Sequence, residues 1–245
     1  MATFVTVVSA ILTLLNILKD PEPYHPSILS GQGWVNKLLK GHPAHIHCEL
    51  GVSWEVFLEM IMMLCKFGYG SSKYMQIEEQ LAIFLYMSVT ELTIHHTSEH
   101  FQCSNEMISK HSHHILGISS ELFYMTYINL PDNNTPPSPQ IYSNPKFSPV
   151  KNTLGALDGS HFICVLPLHS HVSHQAQKGF MSQNSLFACN FNFQSVFCYT
   201  GLEGLAMDAQ VLEAGLKAGF NIPDGNYYFV DAGYHLVEWS RANQK

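Results

Sequence analysis

Asp158 follows the apolar run Leu154-Gly155-Ala156-Leu157 and precedes Gly159. Asp231 follows Tyr227-Tyr228-Phe229-Val230 and precedes Ala232-Gly233-Tyr234. Both runs read as central strands whose C-terminal ends deliver a carboxylate to a cleft. Asp208 opens a segment with Val211, Leu212 and Leu216 at helical spacing, which puts it at a helix start. Three carboxylates from two strand ends and one helix N-terminus suit a divalent metal, the arrangement phosphodiester chemistry uses. Each aspartate also has a plain structural reading. Asp-Gly is a turn pair, Asp before an apolar helix is a cap, and Asp-Ala-Gly can simply end a strand.

A second set of candidate ligands is histidine. His96 and His100 fall at i, i+4 on one helical stretch, and His169, His171 and His174 cluster in a loop. Imidazole suits Zn²⁺, yet no cysteine pair and no His-Glu-x-x-His spacing accompanies them. Scattered histidine in place of arginine explains the clusters more simply.

The elements that position these residues change character along the chain. An apolar stretch at residues 4–18, within a 1–23 segment, reads as a packed or partner-binding helix, with a membrane anchor as its rival. Residues 24–128 read as helical. Gln32–Leu39 is closed by Gly41-His42-Pro43, Ser53 caps Trp54–Phe67, and Ile77–Val89 carries Glu78 and Glu79 in its first turn. Leu92–Gln102 and Asn105–Leu116, joined at Cys103 with Ser104 as cap, form a pair of helices with the helix-turn-helix pattern. Its second helix offers Lys110 among His111, His113 and His114, which are mostly uncharged at neutral pH.

The Pro, Asn and Ser run at 129–151 reads as a linker. Beyond it lie strands at Leu154–Leu157, Phe162–Leu166, Ser185–Phe193 and Ser195–Gly201, a helix at Asp208–Ala218 and a strand at Asn226–Val230. Successive strands, then a helix and a further strand, with acids at the ends of the first and last strands, is the order of a ribonuclease-H-like core. The expected fold class is therefore α/β: an incomplete ribonuclease-H-like mixed sheet at 152–245, preceded by an all-α region.

Composition sets bounds on partners. The 245 residues are 46% hydrophobic but only 13% charged, and the formal net charge is −7. That balance argues against nucleic-acid binding through bulk electrostatics alone, while leaving a metal-bridged site open. Six cysteines without paired spacing read as buried free thiols in a reducing compartment.

The C-terminal part resembles the DDE nuclease domain of the PIF/Harbinger transposases and their host-adopted derivatives. The likeness rests on Ala156-Leu157-Asp158-Gly159-Ser160-His161, Gln177 through Asn184, Gly204 through Leu212, and Ile222-Pro223 through Tyr234. It extends upstream through Glu78–Leu85 and Phe101–Ser109, and covers roughly residues 24–239 in the family's order. The resemblance implies a divalent-metal-dependent DNA endonuclease using Mg²⁺ or Mn²⁺, located in the nucleus. A protein partner supplying DNA binding or nuclear import would fit it. It makes Asp158 and Asp231 catalytic, Asp158, Asp208 and Asp231 metal-binding, and Lys178 a phosphate contact; Lys110 is the candidate of the helical pair. The family's further catalytic glutamate lies well beyond the Asp-Ala-Gly-Tyr run, whereas the sequence ends at Lys245 and Glu238 is too near to match it. Asn190 and Asn192 replace an expected acidic pair, and Ser173–Gln177 lacks the expected arginines. The expectation is a truncated or decayed copy with impaired cleavage, or a non-enzymatic DNA-binding or partner-binding remnant.

Overall fold

The computed structural model describes residues 5–9, 13, 24–136, 138–165, 181–231 and 234. The chain divides into two compact units, Met1–Ser120 and Glu121–Lys245. It is an α/β protein: the first unit is helical and the second carries a mixed four-stranded sheet. Of the apolar N-terminal stretch, residues 5–9 and 13 are described and are helical. No described helix is long and apolar enough to cross a membrane.

The first unit contains α1 (Gly31–Lys40), α2 (Pro43–Leu50), α3 (Trp54–Lys66), α4 (Ile77–Thr90), α5 (Ile94–Phe101) and α6 (Asn105–Ile118). Four of these six helices start at hydroxyl caps. Ser30, Ser53, Thr93 and Ser104 each accept a backbone N–H of the first turn, from Gly33, Val56, His96 and Met107 respectively. Helix α2 is additional to the elements expected. Pro43 does not close a helix; it is the first residue of one, and His42 Nδ1 caps it by accepting the Ala44 N–H at 3.1 Å. Ile46 and Leu50, one turn apart, are buried. Helix α5 starts at Ile94 rather than Leu92 because Thr93 is its cap, and Gln102 ends it in the left-handed region at φ 55°.

The second unit begins with α7 (Tyr124–Tyr127), α8 (Pro139–Tyr142) and a 3₁₀ turn, Pro145–Val150. The Pro, Asn and Ser run at 129–151 thus belongs to this unit, behind a division that falls between Ser120 and Glu121. Asp132 Oδ1 accepts from the Asn134 N–H and from Thr135 Oγ1, and Gln140 Nε2 donates to Asn192 Oδ1 at 2.8 Å. The start of α8 is therefore tied to the turn that follows β2.

The sheet comprises β1 (Thr153–Ile163), β2 (Ser182–Asn190), β3 (Ser195–Glu203) and β4 (Tyr227–Phe229), with α9 (Asp208–Lys217) between β3 and β4. The spatial order is β3-β2-β1-β4; β1 runs antiparallel to β2, β2 antiparallel to β3, and β4 parallel to β1. The two strands expected at 154–157 and 162–166 are one strand, paired with β2 from Gly155↔Asn190 to Ile163↔Ser182. Asp158-Gly159 is thus no turn and no strand end. Leu157, Leu186, Ala188, Phe197, Val211, Phe220, Tyr228 and Tyr234 form the core of this unit. Gly215 lets α9 sit against β2, because a Cβ there would run into the Leu186 side chain.

Candidate functional site

Gly159 marks the meeting point. A Cβ at this position would lie 2.9 Å from Tyr234 Oη, 3.4 Å from Asn184 Oδ1 and 3.6 Å from Asp208 Oδ1. A glycine inside a strand often marks such a close approach. Groups from β1, β2, the start of α9 and the segment after β4 therefore share one small space.

Asp208 is the first residue of α9, and Met207 is its N-cap. The Met207 N–H donates to Gln210 Oε1 at 3.0 Å, which fixes the entry of the chain into the helix. The carboxylate stands at the positive end of the helix dipole, where an anion is stabilised. Asn184 is 1% exposed. Its Nδ2 donates to the Ala206 carbonyl at 3.2 Å, while Oδ1 is buried with no hydrogen-bond partner.

Tyr234 is buried, and its N–H donates to the Asp231 carbonyl at 3.0 Å. Its phenol is pushed up to about 12, chiefly by burial and then by the carboxylates of Asp208, Asp158 and Asp231, with the Gly159 backbone pulling the other way. At neutral pH it stays protonated, a hydrogen-bond donor in the field of all three aspartates.

Asp158 is exposed in mid-strand, and its Oδ1 accepts the Gly159 N–H at 2.8 Å. The alternation of β1 turns it away from the face that Leu157 and Gly159 share. Asp231 is exposed just past β4. The three carboxylates act on one phenol electrostatically but do not close on one point: among the described residues no three acid, histidine or cysteine side chains could hold a metal ion by themselves. A hard, hydrated cation does not require that closure. Mg²⁺ keeps several waters and takes one or two carboxylates together with substrate phosphates. The donor set, carboxylate and amide oxygens with an orphaned buried oxygen among them, fits such an ion.

Lys178, the histidines at 169, 171 and 174, and Glu238 lie outside the described residues. Lys110 is exposed on α6. His111 beside it is not a surface group: it is 5% exposed, its Nδ1 lies 3.1 Å from Tyr69 Oη, and burial lowers its pKa. Gln80 completes this buried network by bonding to Tyr69 and donating to the Met75 carbonyl. His100 stacks on Tyr86 at 4.6 Å and meets Trp34 edge-on at 4.4 Å, whereas His96 is exposed and pairs with Thr93. The i, i+4 histidines thus have separate partners. A cleft of about 460 Å³ lies between Leu130–Pro139 and the sheet, lined by Leu154, Asn190, Asn192 and Tyr228 among others.

Residues 26–121 match DUF8040, a domain of unknown function. The match covers the six helices of the first unit and stops ahead of the sheet. No curated protein and no solved structure matches the chain.

Proposed function

We propose that the second unit is a transposase-derived, divalent-metal-dependent DNA endonuclease domain of the PIF/Harbinger DDE type, acting in the nucleus. The observation that carries this reading is the approach of Asp208 Oδ1, Asn184 Oδ1 and Tyr234 Oη to one space over Gly159, with Asp158 and Asp231 within electrostatic reach of the same phenol. The sheet order β3-β2-β1-β4, with β4 parallel to β1 and α9 between β3 and β4, supports the ribonuclease-H-like part of the reading. Asp158, Asp208 and Asp231 would hold Mg²⁺ or Mn²⁺, with Asp158 and Asp231 as the catalytic pair. A bound ion would supply Lewis-acid activation of the attacking oxygen and stabilise the leaving one. Asp208 puts negative charge at the N-terminus of α9, and Asp158 and Asp231 add to the field there. Tyr234 remains a neutral donor beside them. The test is fluorescence anisotropy of a labelled DNA duplex with the full chain in Mn²⁺ or in EDTA. Mn²⁺ should tighten binding, and Asp158→Asn or Asp231→Asn should remove that gain. Equal binding in Mn²⁺ and EDTA would reject the reading.

A second reading, a DNA-binding module in the first unit, rests on α5 and α6. They are joined through Gln102 and Cys103, and α6 exposes Lys110, His113 and His114. It requires metal-independent, salt-sensitive binding that weakens in Lys110→Ala.

A further inference from the structure

We propose that Asn184 is an oxygen ligand of the cation site, acting beside Asp208. The inference rests on the metal-dependent reading above and adds a neutral residue to it. Asn184 is 1% exposed in the middle of the sheet, where an unpaired amide oxygen is costly. Its orientation is set by the bond from Nδ2 to the Ala206 carbonyl, two residues ahead of Asp208. That bond leaves Oδ1 turned to the space over Gly159, without a partner, with Asp208 Oδ1 and Tyr234 Oη at the same space.

A buried oxygen left unsatisfied by the protein beside a carboxylate is the kind of pair a hard cation or its bound water completes. Hard divalent cations take amide and carboxylate oxygens together. Burying a neutral oxygen costs less than burying another carboxylate beside Asp208. Gly159 keeps the space open, since a Cβ there would fall 2.9 Å from Tyr234 Oη.

The experiment is Mn²⁺ titration of the full chain followed by electron paramagnetic resonance of the free ion. Wild type is compared with Asn184→Asp, Asn184→Leu and Asp208→Asn, and far-UV circular dichroism verifies each fold. Asn184→Leu should weaken Mn²⁺ binding by about tenfold. Asn184→Asp, which keeps an oxygen there and adds charge, should bind at least as tightly as wild type. If Asn184→Leu fails to fold, Asn184→Asp decides: weaker binding than wild type in a folded Asn184→Asp overturns the proposal. Unchanged binding in a folded Asn184→Leu overturns it too, while leaving the carboxylate site standing if Asp208→Asn still loses Mn²⁺. Absence of Mn²⁺ binding by wild type overturns both the proposal and the reading it rests on.

Discussion

Replacing Glu79 with glutamine removes a carboxyl that the helical unit buries at the start of α1. Glu79 is 7% exposed. Its Oε1 sits against Gly31, so closely that a Cβ on Gly31 would collide with it and with the Phe101 carbonyl. Burial drives its pKa from an ordinary 4.5 up to about 7, against the opposing pull of a hydrogen bond from the Gln32 backbone. The sign follows from comparing the two states. Below about pH 4.5 both folded and unfolded chains hold the proton, and Glu79 contributes its full stability. Between about 4.5 and 7 the unfolded chain ionises first, so stability falls as pH rises; above about 7 the loss is complete. At ~1.4 kcal/mol per pH unit the window is worth at most about 3.5 kcal/mol, and roughly 2 once partial screening is allowed for. Urea unfolding of wild type and Glu79→Gln, followed by the fluorescence of Trp34 beside Phe101, measures the difference at pH 4, 6 and 8. Stability of Glu79→Gln relative to wild type should rise by roughly 2 kcal/mol from pH 4 to pH 8. A difference that stays constant across that range refutes the buried, proton-holding carboxyl.

Gly215→Ala should destabilise the second unit by about 1–3 kcal/mol, because the added methyl meets the Leu186 side chain between α9 and β2; thermal unfolding measures it. Leu186→Ala, at a fully buried position, should cost about 2–5 kcal/mol in the same assay. Tyr69→Phe strips Gln80 and His111 of a shared half-buried hydroxyl and should cost about 1–3 kcal/mol in urea unfolding. Lys110→Ala should lower any DNA affinity of the full chain and reduce the salt slope by about 1, read from anisotropy titrations at several salt concentrations.

The helical unit was legible because its signals are local. Ser30, Ser53 and Ser104 cap helices by hydrogen bonds spanning three residues, and the apolar spacing of Trp54–Lys66 and Ile77–Thr90 does the rest. The same locality misled at Pro43, since proline after glycine reads as a stop as readily as a start. Asp158-Gly159 failed for a different reason. The pair is turn-forming in isolation, yet pairing with Phe187 and Leu186 across β2 holds it extended, and the need for glycine comes from Tyr234, far along the chain. The aspartates were visible as residue types at element edges. Asn184 and Tyr234 were not recognisable as their companions, because only the sheet register and the turn after β4 bring them to Gly159. Asn184 stands in the polar run Ser182-Gln183-Asn184-Ser185, so nothing in its neighbours set it apart.

The most direct test of the carboxylate site is isothermal titration of the full chain with Mn²⁺, alongside Asp158→Asn, Asp208→Asn and Asp231→Asn. The account predicts saturable binding by wild type at millimolar Mn²⁺ or below, and weakening by each of the three substitutions in folded protein. No heat of binding in wild type, or affinity untouched by all three substitutions, would contradict it.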